Sequence, residues 1–171
     1  MKERTGLVTF QGNPLTLVGD KVAVGQPAPD VELLASDLSP VKISSFKGKV
    51  CLIASVPSLD TPVCDTETRK FNEAASQLGA EAVVLTVSVD LPFAQARWCG
   101  AAGVGTVKTL SDHRDVAFGT AYGMLLKELR LLARAVFVLD KDGVVRYHEL
   151  VNEITNEPDY DAALKAAREL L

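Results

Sequence analysis

Apolar residues along this chain follow two rhythms, short strand-like runs and longer stretches at helical spacing, and the two alternate. Leu7-Val8-Thr9-Phe10-Gln11 and Leu15-Thr16-Leu17-Val18 flank Gly12-Asn13-Pro14. Two such runs around turn-forming residues predict a β-hairpin, with the Asn-Pro pair and Gly12 making the turn. Gly25-Gln26-Pro27-Ala28-Pro29-Asp30 reads as a rigid connector, because its prolines fix φ. Minor strands are expected at 31–34 and 41–43. The segment 44–49 then turns the chain into Val50-Cys51-Leu52-Ile53-Ala54-Ser55-Val56, an apolar run typical of a buried strand. Residues 65–78 place their apolar positions at helical spacing. A β-branched run at 81–89 predicts another buried strand. The next helix runs from 93 to about 99, where glycines at 100, 103 and 105 end it. A short strand at 107–110 and a helix at 116–122 follow. Strands at 135–139 and 144–150 flank Asp140-Lys141-Asp142-Gly143, a good hairpin signal. An Ala/Leu-rich amphipathic helix at 159–171, preceded by Pro158, closes the chain.

This order predicts an α/β fold: a mixed central sheet flanked by helices on both faces, with an N-terminal β-hairpin extension over residues 1–20. The broad outline is thioredoxin-like. At 171 residues the expectation is one domain, 1–171, with a sizeable core. Composition narrows the function classes. Net charge is −4 with both signs interspersed, and no basic stripe marks a nucleic-acid surface. No apolar run reaches the roughly 18 residues of a membrane span. Met1-Lys2-Glu3-Arg4-Thr5 lacks the apolar core of a secretory signal, so a cytoplasmic location is expected. Three cysteines, an odd and sparse set, do not suggest a secreted disulfide framework. In a reducing compartment a disulfide is more often transient and catalytic, which favours redox work.

The strand at 50–56 hands over to the helix at 65–78 through Pro57-Ser58-Leu59-Asp60-Thr61-Pro62-Val63-Cys64. Thr61 suits the N-cap, its hydroxyl oxygen accepting from a free backbone N–H. Pro62 suits the first helical position, which has no use for an N–H. Cys64 then falls at the third helical position, where a capping box carries Glu and where the helix-end field favours an anionic sulfur. Asp65 and Glu67 pull the other way, so a nearby cation is needed to offset them. The bland reading of Cys64, a small inert residue at the edge of the core, stays open on spacing alone. Cys99 lies near a helix C-terminus, where the dipole disfavours a thiolate; packing beside Trp98 explains it equally simply. Cys51, inside the apolar strand, reads as inert core. Arg134 on its own is a solvated charge at a strand start. Arg69 reads as a surface ion pair with Glu73 at helical spacing. His113 and His148 have no partner at metal-ligand spacing, the glycines at 100–105 follow rather than precede a helix, and Phe93, Trp98 and Tyr122 read as core or pocket wall.

Pro57-x-x-x-Thr61-x-x-Cys64 resembles the active-site motif of the peroxiredoxins. Thr61-Pro62-Val63-Cys64, Arg69-Lys70-Phe71-Asn72, Asp90-Leu91-Pro92-Phe93-Ala94-Gln95, Cys99-Gly100, Ala121-Tyr122-Gly123, Ala133-Arg134-Ala135-Val136 and Glu153-Ile154-Thr155-Asn156-Glu157-Pro158-Asp159-Tyr160 resemble the thiol peroxidase branch. The likeness runs in order from the hairpin to the last helix. It implies a thiol-dependent peroxidase acting on hydrogen peroxide and organic hydroperoxides without metal, flavin or haem, since sulfur carries the electrons. Cys64 would attack the peroxide and become a sulfenic acid. Thr61 would hydrogen-bond thiolate and peroxide, Pro57 would shield the site from water, and Arg134 would supply the missing cation. Cys99 would resolve the sulfenic acid as an intrachain disulfide with Cys64. Thioredoxin as reductant and a homodimer are further implications of the resemblance. Forming that disulfide demands Cα atoms within about 7 Å, so the first turn around Cys64, and with it the Cys99 helix, is expected to unwind during turnover. A thioredoxin-like disulfide reductase is a competing reading, weakened because Thr61 stands where Cys-x-x-Cys needs a second thiol. A redox sensor that uses the disulfide as a switch is a third, set apart by whether peroxide is consumed repeatedly.

Overall fold

The computed structural model describes residues 1–171. Strands β1 (Glu3–Phe10) and β2 (Asn13–Val18) form the expected hairpin. Its turn is Gln11-Gly12, at φ 50° and 81°, rather than Asn13-Pro14. Positive φ at both central residues suits a tight two-residue loop between twisted strands. Asn13 and Pro14 therefore pair as strand residues opposite Phe10 and Thr9.

Strands β3 (Glu32–Leu34) and β4 (Pro40–Lys42) precede a 3₁₀ turn, Ile43–Phe46, and the central strand β5 (Val50–Ser55). Helix α1 (Pro62–Leu78), β6 (Ala82–Ser88), α2 (Pro92–Ala102), β7 (Lys108–Ser111) and α3 (Ala117–Ala121) follow. Two-residue strands β8 (Leu125–Leu126) and β9 (Leu131–Leu132) come next, then β10 (Ala135–Leu139), β11 (Val145–Leu150) and α4 (Tyr160–Arg168). The main sheet has the order β11-β10-β5-β6-β7-β3-β4, parallel across β5-β6-β7 and antiparallel elsewhere. Helix α2 runs past Gly100 and stops at Gly103, which takes a left-handed conformation at φ 67°. Gly100 is thus inside the helix, correcting the earlier stop.

Both faces of β5 are covered, which is why its sequence is a continuous apolar run rather than an alternating one. Leu52 and Ala54, with Val84, Val136 and Val138, pack against Phe71, Ala75 and Leu78 of α1, Trp98 of α2, and Ala163 and Ala167 of α4. Cys51 and Ile53, with Leu85, Phe137 and Leu139, face the other way, toward Phe118, Tyr122, Leu17, Leu126 and Leu132. Most of that second cover is a small antiparallel sheet, β1-β2-β8-β9. The N-terminal hairpin is therefore half of a lid on the main sheet, a job its own sequence did not specify. The β8–β9 pair went unforeseen because two residues per strand give no periodicity to read. The arrangement is thioredoxin-like, with helices on both faces as expected. No helix is long and apolar enough to cross a membrane.

Candidate active site

The C-terminal end of β5 releases the chain through buried Val56 and Pro57 into the loop before α1. Thr61 is the N-cap, in an extended conformation at φ −100° and ψ 147°, with Pro62 opening the helix. Its hydroxyl does not cap the helix, contrary to the sequence expectation: it donates instead to the Ser58 carbonyl at 2.9 Å, tightening the loop. The first turn closes through the Asp65 N–H to the Thr61 carbonyl, 3.0 Å. Cys64 is the third helical residue, and it turns inward to 0% exposure. It joins Val56, Leu59, Phe71 and Trp98 in the core beneath α1.

Arg134, just ahead of β10, reaches the same spot from across the sheet and is 1% exposed. Its Nη2 lies 3.2 Å from Cys64 Sγ. Nη2 and Nε both donate to the Ile154 carbonyl, at 2.9 and 3.0 Å. Nη1 pairs with Glu67 Oε2. A buried guanidinium is tolerated only when its donors are spoken for, and here three of its nitrogens are. Burial opposes the Arg134 charge, but the attraction of Glu67 and Cys64 outweighs it and holds the group above its ordinary value. Glu67 sits one turn beyond Cys64, fully buried, with its second oxygen unpartnered. Burial pushes its carboxyl up to about 7 against the pull of Arg134. The result is one sulfur held against a single nitrogen of a fixed cation, in the first turn of a helix.

Cys99 lies in the last turns of α2, half-buried, its Sγ 3.7 Å from Thr109 Oγ1 on β7. All three cysteines are free thiols. Cys51 points to the opposite face of the sheet from Cys64, among apolar side chains.

A family model described as Redoxin matches residues 23–164. A thiol peroxidase of Halalkalibacterium halodurans is 60% identical over 165 residues, 96% of this chain and 98% of that protein. The chain belongs to the redoxin family, in the thiol peroxidase branch of the peroxiredoxins. A thiol peroxidase of Bacillus subtilis is 55% identical over 164 residues, again covering 96% of this chain and 98% of the relative. A solved structure of a peroxiredoxin-like protein from Aquifex aeolicus superposes with a TM-score of 0.91 at 43% identity, covering 98% of this chain and 99% of that one.

Three features of this peroxiredoxin's site were not anticipated from sequence. The burial of Glu67 and its pairing with Arg134 are the first; the sequence marked Glu67 only as an anion near Cys64, although it falls on the buried stripe of α1 with Cys64, Thr68, Phe71, Ala74, Ala75 and Leu78. The second is the Ile154 carbonyl, which no side-chain pattern reveals. The third is Asp90, whose carboxylate accepts from Ser58 Oγ (2.7 Å), the Leu59 N–H (2.8 Å) and Ser88 Oγ (2.7 Å), anchoring the loop that holds Pro57 and Thr61. Two other expectations need correction. Arg69 pairs with Asp65 at 2.9 Å, not with Glu73. Phe93 is neither core nor pocket wall but 65% exposed, whereas Trp98 and Tyr122 are buried as expected. No group of three or more His, Cys, Asp or Glu is gathered to hold a metal ion.

Proposed function

We propose that this thiol-dependent peroxidase reduces hydrogen peroxide and organic hydroperoxides through a sulfenic acid on Cys64 and an intrachain Cys64–Cys99 disulfide, with thioredoxin as the recycling dithiol. The observation that carries the reading is the 3.2 Å contact between Arg134 Nη2 and the fully buried Cys64 sulfur. In this reading the Cys64 thiolate attacks one peroxide oxygen and the O–O bond breaks. The departing oxygen leaves as water or an alcohol after taking a proton, and the sulfur keeps the other oxygen as S–OH. Arg134 stabilises the charge on sulfur and then on the departing oxygen, a task suited to a rigid, always-charged fork. Thr61 offers its oxygen to the peroxide O–H, and rotation away from Ser58 frees its hydrogen for the thiolate. Pro57, buried beside the loop, keeps bulk water from the sulfur.

The Cys99 sulfur then displaces hydroxide from Cys64, which leaves as water with the Cys99 proton. The external dithiol reduces the bridge and restores both thiols. No metal or organic cofactor takes part in these steps. A homodimer and a cytoplasmic location, where a dithiol pool is maintained, complete the proposal. Intact-mass analysis after one equivalent of peroxide, followed by peptide mapping, tests it. The expected result is a single bridged peptide pair containing Cys64 and Cys99; a bridge through Cys51, or none, overturns the assignment. Turnover coupled to thioredoxin, compared with glutathione, decides the reductant.

A further inference from the structure

The residues adjoining Cys64 and Cys99 are bonded to one another. Asp65 follows Cys64 on α1, and Trp98 precedes Cys99 on α2. The indole Nε1–H of Trp98 donates to Asp65 Oδ1 at 2.8 Å. Arg69, one turn further along α1, donates from Nε to Asp65 Oδ2 at 2.9 Å and from Nη1 to the Ala102 carbonyl at 3.2 Å. Ala102 is the last residue of α2, where carbonyls lack partners within the helix. The Arg69 guanidinium also lies over the Trp98 ring, 5.7 Å from its centroid. The hydrogen bond from Arg69 keeps the Asp65 carboxyl below the usual carboxylate range despite partial burial, so it is ionised at neutral pH. A closed ring of contacts thus ties the helical turn carrying one cysteine to the turn carrying the other. Trp98 packs in the same apolar cluster as Cys64, so moving the indole loosens the pocket around that sulfur as well.

We propose that Asp65 is a positioning residue for the second half of the cycle: through Trp98 and Arg69 it clasps the Cys64 turn to the Cys99 turn in the reduced protein, and its release sets how fast the two sulfurs meet. The inference rests on the Cys64–Cys99 reading above. In that step the Cys64 S–O bond breaks and an S–S bond forms, with water leaving. Disulfide geometry demands Cα atoms within about 7 Å. With the Cys64 sulfur turned inward against Arg134 and the Cys99 sulfur facing Thr109 on β7, closing the bridge in this proposal takes the unwinding of at least one of the two turns. Asp65 and Trp98 lie one in each of these turns, so whichever unwinds, their bond has to open first. A charge-assisted hydrogen bond of this kind is among the stronger ones in a protein.

Rapid mixing with one equivalent of peroxide, quenching with an alkylating reagent and mass analysis give the rate of sulfenic acid formation and the rate of bridge closure from the same samples. Asp65→Ala is expected to raise the ratio of the second rate to the first about three- to tenfold. Asp65→Asn keeps an oxygen for the indole and should raise it less. Trp98→Phe preserves an aromatic ring in the cluster but has no donor, and should raise it about threefold; if Asp65→Ala fails to fold, this variant decides alone. A ratio equal to or below the parent's in the folded variants overturns the clasp. Absence of any Cys64–Cys99 bridge in the parent overturns the functional reading instead.

Discussion

Cys51 and Cys64 are both withdrawn from solvent, at 2% and 0% exposure, yet their sulfurs meet opposite surroundings. Cys51 projects from β5 on the same face as Ile53, Leu85, Phe137 and Leu139, in an apolar cluster with nothing to balance a charge. Burial alone pushes its thiol up to about 12. Cys64 lies on the other face with a guanidinium nitrogen 3.2 Å away. A thiolate in an apolar interior is expensive unless a fixed counter-charge accompanies it. The difference between an inert thiol and a candidate nucleophile is therefore not burial but one long-range partner, contributed from 70 residues further along the chain.

Removing the sulfur at each site is the harshest way to break the comparison. Cys64→Ser is expected to reduce peroxide consumption in a dithiol-coupled assay to background; residual catalytic turnover would mean that another group attacks the peroxide. Next in size is the counter-charge. Arg134→Ala should slow sulfenic acid formation about 10²-fold, the usual cost of deleting one fixed donor from a site of developing charge. Stopped-flow mixing with peroxide reads this directly. Arg134→Lys keeps the charge but loses the fork shared by Cys64, Glu67 and Ile154, and should recover only part of the rate.

The half of this site that is local in sequence was legible, and the half that is assembled across the sheet was legible only through family resemblance. Thr61 before Pro62, and Cys64 in the first turn, follow from helix-start chemistry. Yet which partner the Thr61 hydroxyl takes depends on a loop conformation held by Asp90, and local propensity favoured the wrong one. Arg134 precedes an ordinary apolar strand, and nothing near it in sequence says that it turns inward. Glu67 broke a local rule in plain view, a carboxylate on the apolar stripe of α1, and such violations are where functional sites are expected. In the fold, long buried strands were easy to place, while the turn at Gln11-Gly12 and the tiny β8–β9 pair depend on contacts between distant segments.

Glu67 gives a third, smaller effect, in stability rather than rate. Its carboxyl is raised from 4.5 to about 7 in the folded protein. Between those values the native state binds the proton more tightly than the unfolded chain, so Glu67's contribution is fully present below about 4.5 and is lost as pH rises through about 7. At about 1.4 kcal/mol per pH unit the loss is on the order of 3 kcal/mol. His148, which burial holds near 4 rather than 6.5, acts in the opposite sense at lower pH. Comparing the parent with Glu67→Gln at each pH cancels that term. Urea unfolding from about pH 5 to about pH 8 should show a flatter decline in the variant; parallel curves would mean that Glu67 stays ionised throughout.

The mildest change tests the inert side of the comparison. Cys51→Ala should leave peroxide turnover unaltered and cost about 1 kcal/mol, the price of a small void in a packed sheet face. Cys51→Ser should cost more, because it buries a hydroxyl among apolar atoms at about 1–3 kcal/mol. At Cys64 the order should invert: Cys64→Ser retains a partner for Arg134 Nη2 and should unfold later in urea than Cys64→Ala. The two substitutions are chemically identical at both positions, so an inverted order can come only from the surroundings. If Ala is preferred at both positions, the guanidinium does not distinguish the two cysteines, and the contrast drawn from the geometry is lost.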